Sequence, residues 1–406
     1  MKRILFVDDE PQILDGLRRM LRGKRREWEM VFVGGGAEAL AEIKKRPFDL
    51  VVTDMRMPVM DGAELLERVR EMCPQTVRIV LSGHSEREKI MRSVRPAHQY
   101  LAKPIEQQEL MAVLQKAIDL QQVLGNQALW AILGQAENLP AMPAIYSRLV
   151  EAIESEDSSM EAIGRIIEQD LGMTATVLKV VNSAFFGLPR TISSACQAVG
   201  LLGLDLIRSL VLSYQLFSTF EGRGPAKFSL PGLWRHSSVT AVLAKKIAQM
   251  EGGDRTMVDE AFMAGVLHDV GKLPLYYYAK ETYAKVLEDV RAGEGLLFEV
   301  EGRVMGATHA EAGAFLMGLW GMSERVVRAI AFHHRPGDWP HGDFGPLTAV
   351  HAANVLEHEL YVIHKHYRVP ALDVAHLETV GKAGRVDAWR KECKNLLGDG
   401  ANFEPE

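Results

Sequence analysis

The segment FDLVVTDMRMPVMDG, residues 48–62, decides the fold of the first part of the chain. Its apolar run ends in Asp54, which is typical of a buried strand of a parallel sheet followed by a loop. The runs RILFVDD at residues 3–9 and VRIVLSG at residues 77–83 have the same character. Amphipathic segments that indicate helices separate these runs. The alternation predicts an α/β doubly wound sheet of five parallel strands.

Polar side chains follow the predicted strands at one edge of this sheet. They are Asp8, Asp9, Asp54, Ser82 and Lys103. Ligands of such sheets bind where the carboxyl ends of the strands meet, so we expect these side chains to lie close together. Converging carboxylates repel one another unless a cation lies between them, and Mg²⁺ is commonly held by carboxylates together with phosphate. A lysine beside the phosphate would neutralise charge as a phosphoryl group is transferred to an aspartate nucleophile.

These motifs, in this order, resemble the receiver domain of bacterial response regulators over about residues 1–122. The resemblance implies that Asp54 accepts a phosphoryl group from a sensor histidine kinase. It implies as Mg²⁺ ligands Asp8, Asp9, Asp54 and the backbone carbonyl of Arg56. It implies as switch and phosphate-binding residues Ser82, Tyr100 and Lys103. One departure is RPAHQYL at residues 95–101, where many receivers carry Gly and Ala before the aromatic residue.

A helix predicted to begin near Glu106 leads out of this domain. Its apolar residues recur at three- and four-residue spacing, which fits the amphipathic last helix of a receiver. The same spacing also fits a signalling helix that pairs in a homodimer and passes on the phosphorylation state. We predict a helical connector over residues 123–136, and the segment AENLPAMP at residues 136–143 then breaks the pattern.

Helical periodicity without strand signals predicts an all-α bundle over residues 137–366. Histidines gather on its successive helices, next to a carboxylate. They are His236, His268 with its neighbour Asp269, His309, His333, His334 and His351. Such groups on facing helices can form an interior site for a transition metal, which lowers the pKa of bound water for attack on a phosphoester. The alternative is that buried imidazoles bind carbonyl groups and hold the helices together.

The motifs NSAFFG at residues 182–187, AVGLLG at 198–203 and AGVLHDVGK at 264–272 resemble the HDOD branch of the HD superfamily of metal phosphohydrolases. The resemblance covers about residues 137–360. It implies a residual HD site formed by His236, His268, Asp269, His309, His333 and His334. In HD hydrolases the last metal ligand is an Asp, and this sequence has Asn354 there. The GYP triplet of the cyclic-di-GMP phosphodiesterases is also absent after His334.

We therefore expect a phosphorylation-controlled response regulator. The resemblance implies that its HDOD domain is a non-catalytic module that binds an unknown downstream protein. The alternative is a phosphorylation-gated, metal-dependent phosphohydrolase of the cyclic-di-GMP phosphodiesterase type. Measuring bound metal and turnover separates the two interpretations.

Bulk composition narrows the class of protein. A chain of 406 residues is long enough for two or three domains. Its formal net charge of -6, with no basic recognition helix evident, argues against nucleic acid as a partner. The widely spaced cysteines indicate reduced thiols, and the apolar runs are too short to cross a membrane, so we expect a soluble, cytoplasmic protein. The sequence pattern of residues 367–406 predicts short amphipathic helices that end in an acidic tail.

Overall fold

The computed structural model describes residues 2–73, 76–83, 99–123, 128–129, 132, 144–155, 159–181, 192–220, 228–320, 322–339, 342–360 and 368–397. The chain divides into two compact units. The first comprises Met1–Ala144 with Phe315–Met322, and the second comprises Ile145–Ala314 with Ser323–Glu406. Most of the predicted connector lies outside the described residues, as do residues 84–98. Among the described residues, no helix has the length and apolar character needed to span a bilayer.

A five-stranded parallel sheet forms the centre of the first unit and confirms the predicted fold class. Its strands are β1 (Lys2–Val7), β2 (Trp28–Val33), β3 (Leu50–Asp54), β4 (Val77–Gly83) and β5 (Gln99–Lys103). Their spatial order is β2-β1-β3-β4-β5, and all neighbours run parallel. The helices are α1 (Pro11–Met20), α2 (Gly36–Lys45), α3 (Gly62–Met72) and α4 (Gln107–Val123). In this sheet the order in which successive strands are added reverses between β1 and β3, and doubly wound folds bind ligands at that point.

The apolar runs form strands because both faces of the sheet are covered. Ile4, Leu5 and Phe6 on β1 are buried, as are Leu50 and Val51 on β3. Consecutive buried residues on one strand require packing on both faces, which is the expected pattern for a parallel sheet. The carboxyl ends of β1 and β3 are therefore adjacent and fixed by a packed core.

The second unit is all-helical in its described residues, as predicted. Its helices are α5 (Ala144–Glu154), α6 (Met160–Glu168), α7 (Leu171–Val181), α8 (Ala195–Leu202), α9 (Leu204–Phe220), α10 (Leu230–Met250), α11 (Arg255–Leu267), α12 (Lys272–Tyr278), α13 (Lys280–Arg291), α14 (Leu297–Met305), α15 (His309–Leu319), α16 (Glu324–Phe332), α17 (Pro346–Leu360), α18 (Val374–Thr379) and α19 (Val386–Leu397). Short 3₁₀ turns lie at Arg22–Lys24, Pro336–Asp338 and Ala383–Arg385.

Helices α10, α11, α16 and α17 pack against one another and carry the histidines into the interior of the unit. Side-chain caps fix where three of them begin, because Ser229, Asp254 and Ser323 each accept a hydrogen bond from a backbone N–H in the first turn. His268 and His333 stand at the C-terminal ends of α11 and α16. Both imidazoles are fully buried.

The C-terminal helices pack on α10 rather than forming a separate domain. The buried carboxylate of Glu251, at the end of α10, accepts hydrogen bonds from Arg385 and Trp389 and forms an ion pair with Lys382. Trp389 is fully buried. The predicted extension therefore belongs to the same compact unit as the histidine-bearing helices, and its last residues, 398–406, lie outside the described part.

Candidate functional site

Three polar side chains meet at the carboxyl edge of the sheet. Lys103 Nζ, at the end of β5, lies 2.7 Å from Asp8 Oδ2, just after β1. The same ammonium group contacts Asp54 Oδ1 at the end of β3. Asp8 is buried, whereas the side chain of Asp54 retains 13% of its exposure. The edge thus presents one partly accessible carboxylate beside a buried carboxylate and a cation.

The loop after β3 holds Asp54 from the other side. The backbone N–H of Arg56 donates to Asp54 Oδ2 at 2.6 Å. A Cβ atom at Gly62 would lie only 2.2 Å from the backbone oxygen of Asp54, so only glycine allows this approach. Asp54 is therefore fixed by both its side chain and its backbone, which suits an acceptor that must meet a donor in one orientation.

The remaining predicted residues of this edge differ in what the structure describes. Asp9 and Arg56 are exposed. The backbones of Ser82 and Tyr100 lie on β4 and β5, but their side chains are outside the described part of the structure. The structure thus brings together Asp8, Asp54 and Lys103, while the switch roles of Ser82 and Tyr100 stay predictions.

The charge balance at this edge fits a hard cation. Burial lowers the pKa of Lys103, but hydrogen bonds to Asp54 and Asp8 outweigh burial and raise it, so the side chain stays protonated. Clustered carboxylate oxygens are the donors that Mg²⁺ prefers. Receiver domains generally bind Mg²⁺, and the oxygen donors of Asp8 and Asp54 fit that ion.

The second candidate site surrounds the carboxylate of Asp269, which is fully buried. His309 Nε2 lies 3.1 Å from Asp269 Oδ1, and His333 Nε2 lies 3.9 Å from the same oxygen. His236 Nε2 and His268 Nε2 each lie 3.5 Å from Asp269 Oδ2. The structure therefore brings these sequence-predicted residues together around one carboxylate.

The other ring nitrogen of each of these four histidines contacts an oxygen. His236 Nδ1 lies 2.8 Å from Glu357 Oε2, and His309 Nδ1 lies 2.6 Å from Glu301 Oε2. His268 Nδ1 and His333 Nδ1 contact the backbone carbonyls three residues before them, at 2.7 and 2.8 Å. In the neutral form of each ring, an oxygen acceptor at Nδ1 places the proton there and leaves the Nε2 lone pair on the side of Asp269.

This arrangement concentrates acceptors in a small, buried volume. His236 Nε2 lies 3.1 Å from His268 Nε2, and His334 Nε2 lies 2.9 Å from His309 Nε2. Among the described residues, His333 Nε2 and Asn354 Oδ1 are buried without a hydrogen-bond partner. Facing lone pairs repel unless a proton or a metal ion lies between them, and imidazoles with a carboxylate suit a divalent transition metal. The residues present therefore fit such an ion.

The shifted pKa values of the cluster residues also suit a bound metal ion. Burial lowers the pKa of His268 to about 3, so this imidazole is neutral and able to act as a ligand. Burial alone would raise the pKa of Asp269, but His268 and Lys272 hold it well below its usual value. Burial lowers the pKa of His309, but the carboxylates of Glu301 and Asp269 outweigh burial and raise it. The two carboxylates therefore favour the protonated form of His309 more than burial disfavours it.

Two further residues have contacts that the sequence did not indicate. Lys272, one turn after His268, contacts Asp269 Oδ2. His351 lies outside the cluster, because its Nδ1 donates to the backbone oxygen of His333 and its Nε2 accepts from the backbone of Asp373. His351 therefore links the cluster to the C-terminal part of the unit.

The sequence analysis missed the carboxylates behind the cluster. Glu301 and Glu357 are both fully buried. Glu357 follows Asn354 by three residues, so the two share one face of α17, and this spacing was a usable signal. Glu301 lies on a different helix from His309, and nothing in its sequence context distinguishes it from an exposed acid.

Comparisons with known proteins agree with this division. A family model of the response regulator receiver domain matches residues 4–115, and a model of the HDOD domain matches residues 139–336. An uncharacterized protein of Treponema pallidum is 30% identical over 226 residues, covering 54% of this chain and 42% of that protein. The hydrogenase transcriptional regulatory protein HoxA of Cupriavidus necator is 36% identical over 125 residues, covering 30% of this chain and 25% of that protein. The chain thus spans less than half the length of these relatives.

A solved structure supports the fold of the second unit. The crystal structure of an HDOD domain protein of unknown function from Geobacter sulfurreducens has a TM-score of 0.51 and 22% identity. The match covers 68% of this chain and 99% of that chain. At this identity the likeness concerns the fold alone. The two family matches and the geometry of the sheet lead to one conclusion: the chain joins a response regulator receiver domain to an HDOD domain.

Proposed function

We propose that this protein is a response regulator in which a sensor histidine kinase transfers a phosphoryl group to Asp54. The observation that carries the proposal is the contact of Lys103 with both Asp8 and Asp54 at adjacent strand ends. Asp54 supplies the nucleophilic oxygen. Lys103 keeps its protons and redirects its hydrogen bonds from the carboxylate to the oxygens of the incoming phosphoryl group. Bound Mg²⁺ would supply further charge neutralisation. Its proposed ligands are Asp8, Asp9, Asp54 and the backbone carbonyl of Arg56.

The phosphoacceptor is testable on the purified chain. Acetyl phosphate with Mg²⁺ supplies the phosphoryl group, and intact-protein mass spectrometry measures its incorporation. We expect one phosphoryl group on the parent protein and none on Asp54→Asn. Phosphorylation of Asp54→Asn to the parent level would overturn the proposal.

We further propose that the HDOD domain is a protein-interaction output that holds a divalent transition metal without turnover. Asn354 supports this view, because an uncharged amide occupies the position of the last carboxylate ligand in HD hydrolases. In this proposal phosphorylation biases an equilibrium between two arrangements of the protein and favours a homodimer or a complex with the downstream partner. Light scattering with and without beryllofluoride, which mimics the phosphoryl group, measures the dimer. Equal masses under both conditions would refute the coupling to dimerisation.

A phosphohydrolase remains the second candidate, and one observation favours it. A cavity reaches Asp269 and is lined by Lys272, Asn354 and Arg368, so two cationic side chains border the path to the histidines. The charge of these side chains would attract a phosphoester, although the cavity itself has room for about one water molecule. Turnover of cyclic-di-GMP with Mn²⁺ or Fe²⁺ that disappears in His268→Ala would establish this candidate and overturn the non-catalytic output.

A further inference from the structure

We infer that Glu357 and Glu301 are positioning residues that prepare the histidine cluster for a divalent transition metal. Each holds the Nδ1–H of one histidine and so turns the Nε2 lone pair toward Asp269. The inference rests on the proposed metal site and adds two residues that belong to this chain's own geometry. Ligating histidines commonly need such an acceptor at the second nitrogen, because it fixes the ring and raises its basicity.

Glu357 acts on His236 across the bundle. Its Oε2 atom lies 2.8 Å from His236 Nδ1, on α10, although the two residues are 121 positions apart. Its Oε1 atom lies 3.4 Å from a guanidinium nitrogen of Arg235. Glu357 is fully buried, so water does not compete for these oxygens. The carboxylate is therefore held in one orientation and fixes the ring of His236.

Glu301 acts on His309 in the same way. Its Oε2 atom accepts from both the ring Nδ1 and the backbone N–H of His309, at 2.6 and 2.9 Å. Its Oε1 atom accepts from the hydroxyl group of Tyr283 at 3.1 Å. Both carboxylate oxygens thus have partners, and the side chain and the backbone of His309 are anchored together.

The two carboxylates also alter the charge of the site. Asn354 contributes no charge at the edge of the cluster, whereas Glu357, one turn further along α17, is a carboxylate. Asp269 pairs with the buried ammonium group of Lys272, Glu357 pairs with the partly exposed guanidinium of Arg235, and Glu301 binds His309 and Tyr283. The residual negative charge favours a cation. Glu357 therefore supplies, through the ring of His236, the negative charge that Asn354 does not supply as a direct ligand.

Co²⁺ titration of the full-length protein tests the inference. The visible absorption of bound Co²⁺ reports both affinity and ligand geometry, and it does not depend on turnover. We expect Glu357→Gln and Glu301→Gln each to weaken Co²⁺ binding about 10- to 100-fold, because a carboxylate that holds the second nitrogen of a ligating histidine contributes that much to metal affinity. Glu357→Asp and Glu301→Asp keep the charge and should recover part of the loss.

Glu251→Gln is the matched control, since it removes a buried, hydrogen-bonded carboxylate from α10 that does not touch the cluster. Its Co²⁺ affinity and spectrum should equal those of the parent. If the parent binds Co²⁺ and both Gln variants bind it equally well with the same spectrum, the positioning role is wrong while the metal site stands. If the parent binds no Co²⁺, both the metal site and this inference are overturned.

Discussion

Replacing Gly271 with alanine tests whether the cluster depends on close contact between backbones. Gly271 precedes α12, and a Cβ atom there would lie 2.0 Å from the backbone oxygen of His309 and 2.4 Å from the backbone nitrogen of Gly313. Both neighbours belong to the backbone of α15 and have no rotamer to change. The added methyl group must therefore move α12 and α15 apart.

The expected change in the free energy of unfolding of Gly271→Ala is the sum of two opposing contributions. The backbone of Gly271 is in the right-handed helical region, at φ -67° and ψ -16°, so alanine adopts it without strain. Lower entropy of the unfolded chain then favours the variant by about 0.5 kcal/mol. Overpacking costs about 3 kcal/mol, at the upper end of its usual range, because the clash is with backbone. The free energy of unfolding should fall by about 2.5 kcal/mol.

Urea unfolding followed by tryptophan fluorescence measures this loss, and Co²⁺ titration measures its effect on the cluster. Separation of the helices would lengthen the 3.1 Å contact between Asp269 and His309, so the affinity should fall as well. Gly384→Ala is the control, because its Cβ would meet no heavy atom within 4 Å. If Gly271→Ala matched the parent in both measurements, the close-packing argument would be refuted.

Three further predictions concern other groups. Lys103→Ala should slow phosphorylation of Asp54 by acetyl phosphate about 100-fold, because it removes the cation beside the nucleophile, and an unchanged rate would contradict this role. Burial raises the pKa of Glu251, but its ion pair and hydrogen bonds outweigh burial and hold the pKa below its usual 4.5. The ionised Glu251 therefore stabilises the fold above pH 4.5, and this contribution is lost as the pH falls through the lowered pKa. Glu251→Gln should lower the free energy of unfolding by about 1–3 kcal/mol at neutral pH and by much less in acid. Urea titrations at the two pH values measure the difference. Burial raises the pKa of the Cys393 thiol to about 12, so a thiol reagent at neutral pH should label it only after unfolding, and labelling of the native protein seen by peptide mass spectrometry would refute this.

The sheet could be predicted from the sequence because its signal is local. Apolar runs that end in acids, separated by amphipathic segments, suffice to indicate a parallel sheet. The rule that functional groups gather at the carboxyl ends of strands then grouped Asp8, Asp54 and Lys103, and the structure brings these three together. Their roles in phosphorylation stay predictions, as do those of Ser82 and Tyr100.

The histidine cluster could be predicted only in part. Its histidines and Asp269 are marked by chemistry that is unusual on apolar helices, so the sequence identified them. The position of Asn354 was also evident from the sequence, but the residues that surround it in the fold were not. Glu301 and Glu357 escaped detection because an acid near polar neighbours is usually solvated, and burial is not visible in the letters alone.

By itself, the sequence indicated the two domain types and the candidate residues for binding phosphate or metal. The tertiary structure alone decided that Glu357 contacts His236 across 121 residues and that Glu301 anchors His309. The physical reason is that a tautomer is set by the group at the second ring nitrogen, and that group comes from another helix. The packing of α10, α14, α15 and α17 therefore determines what the histidines can bind.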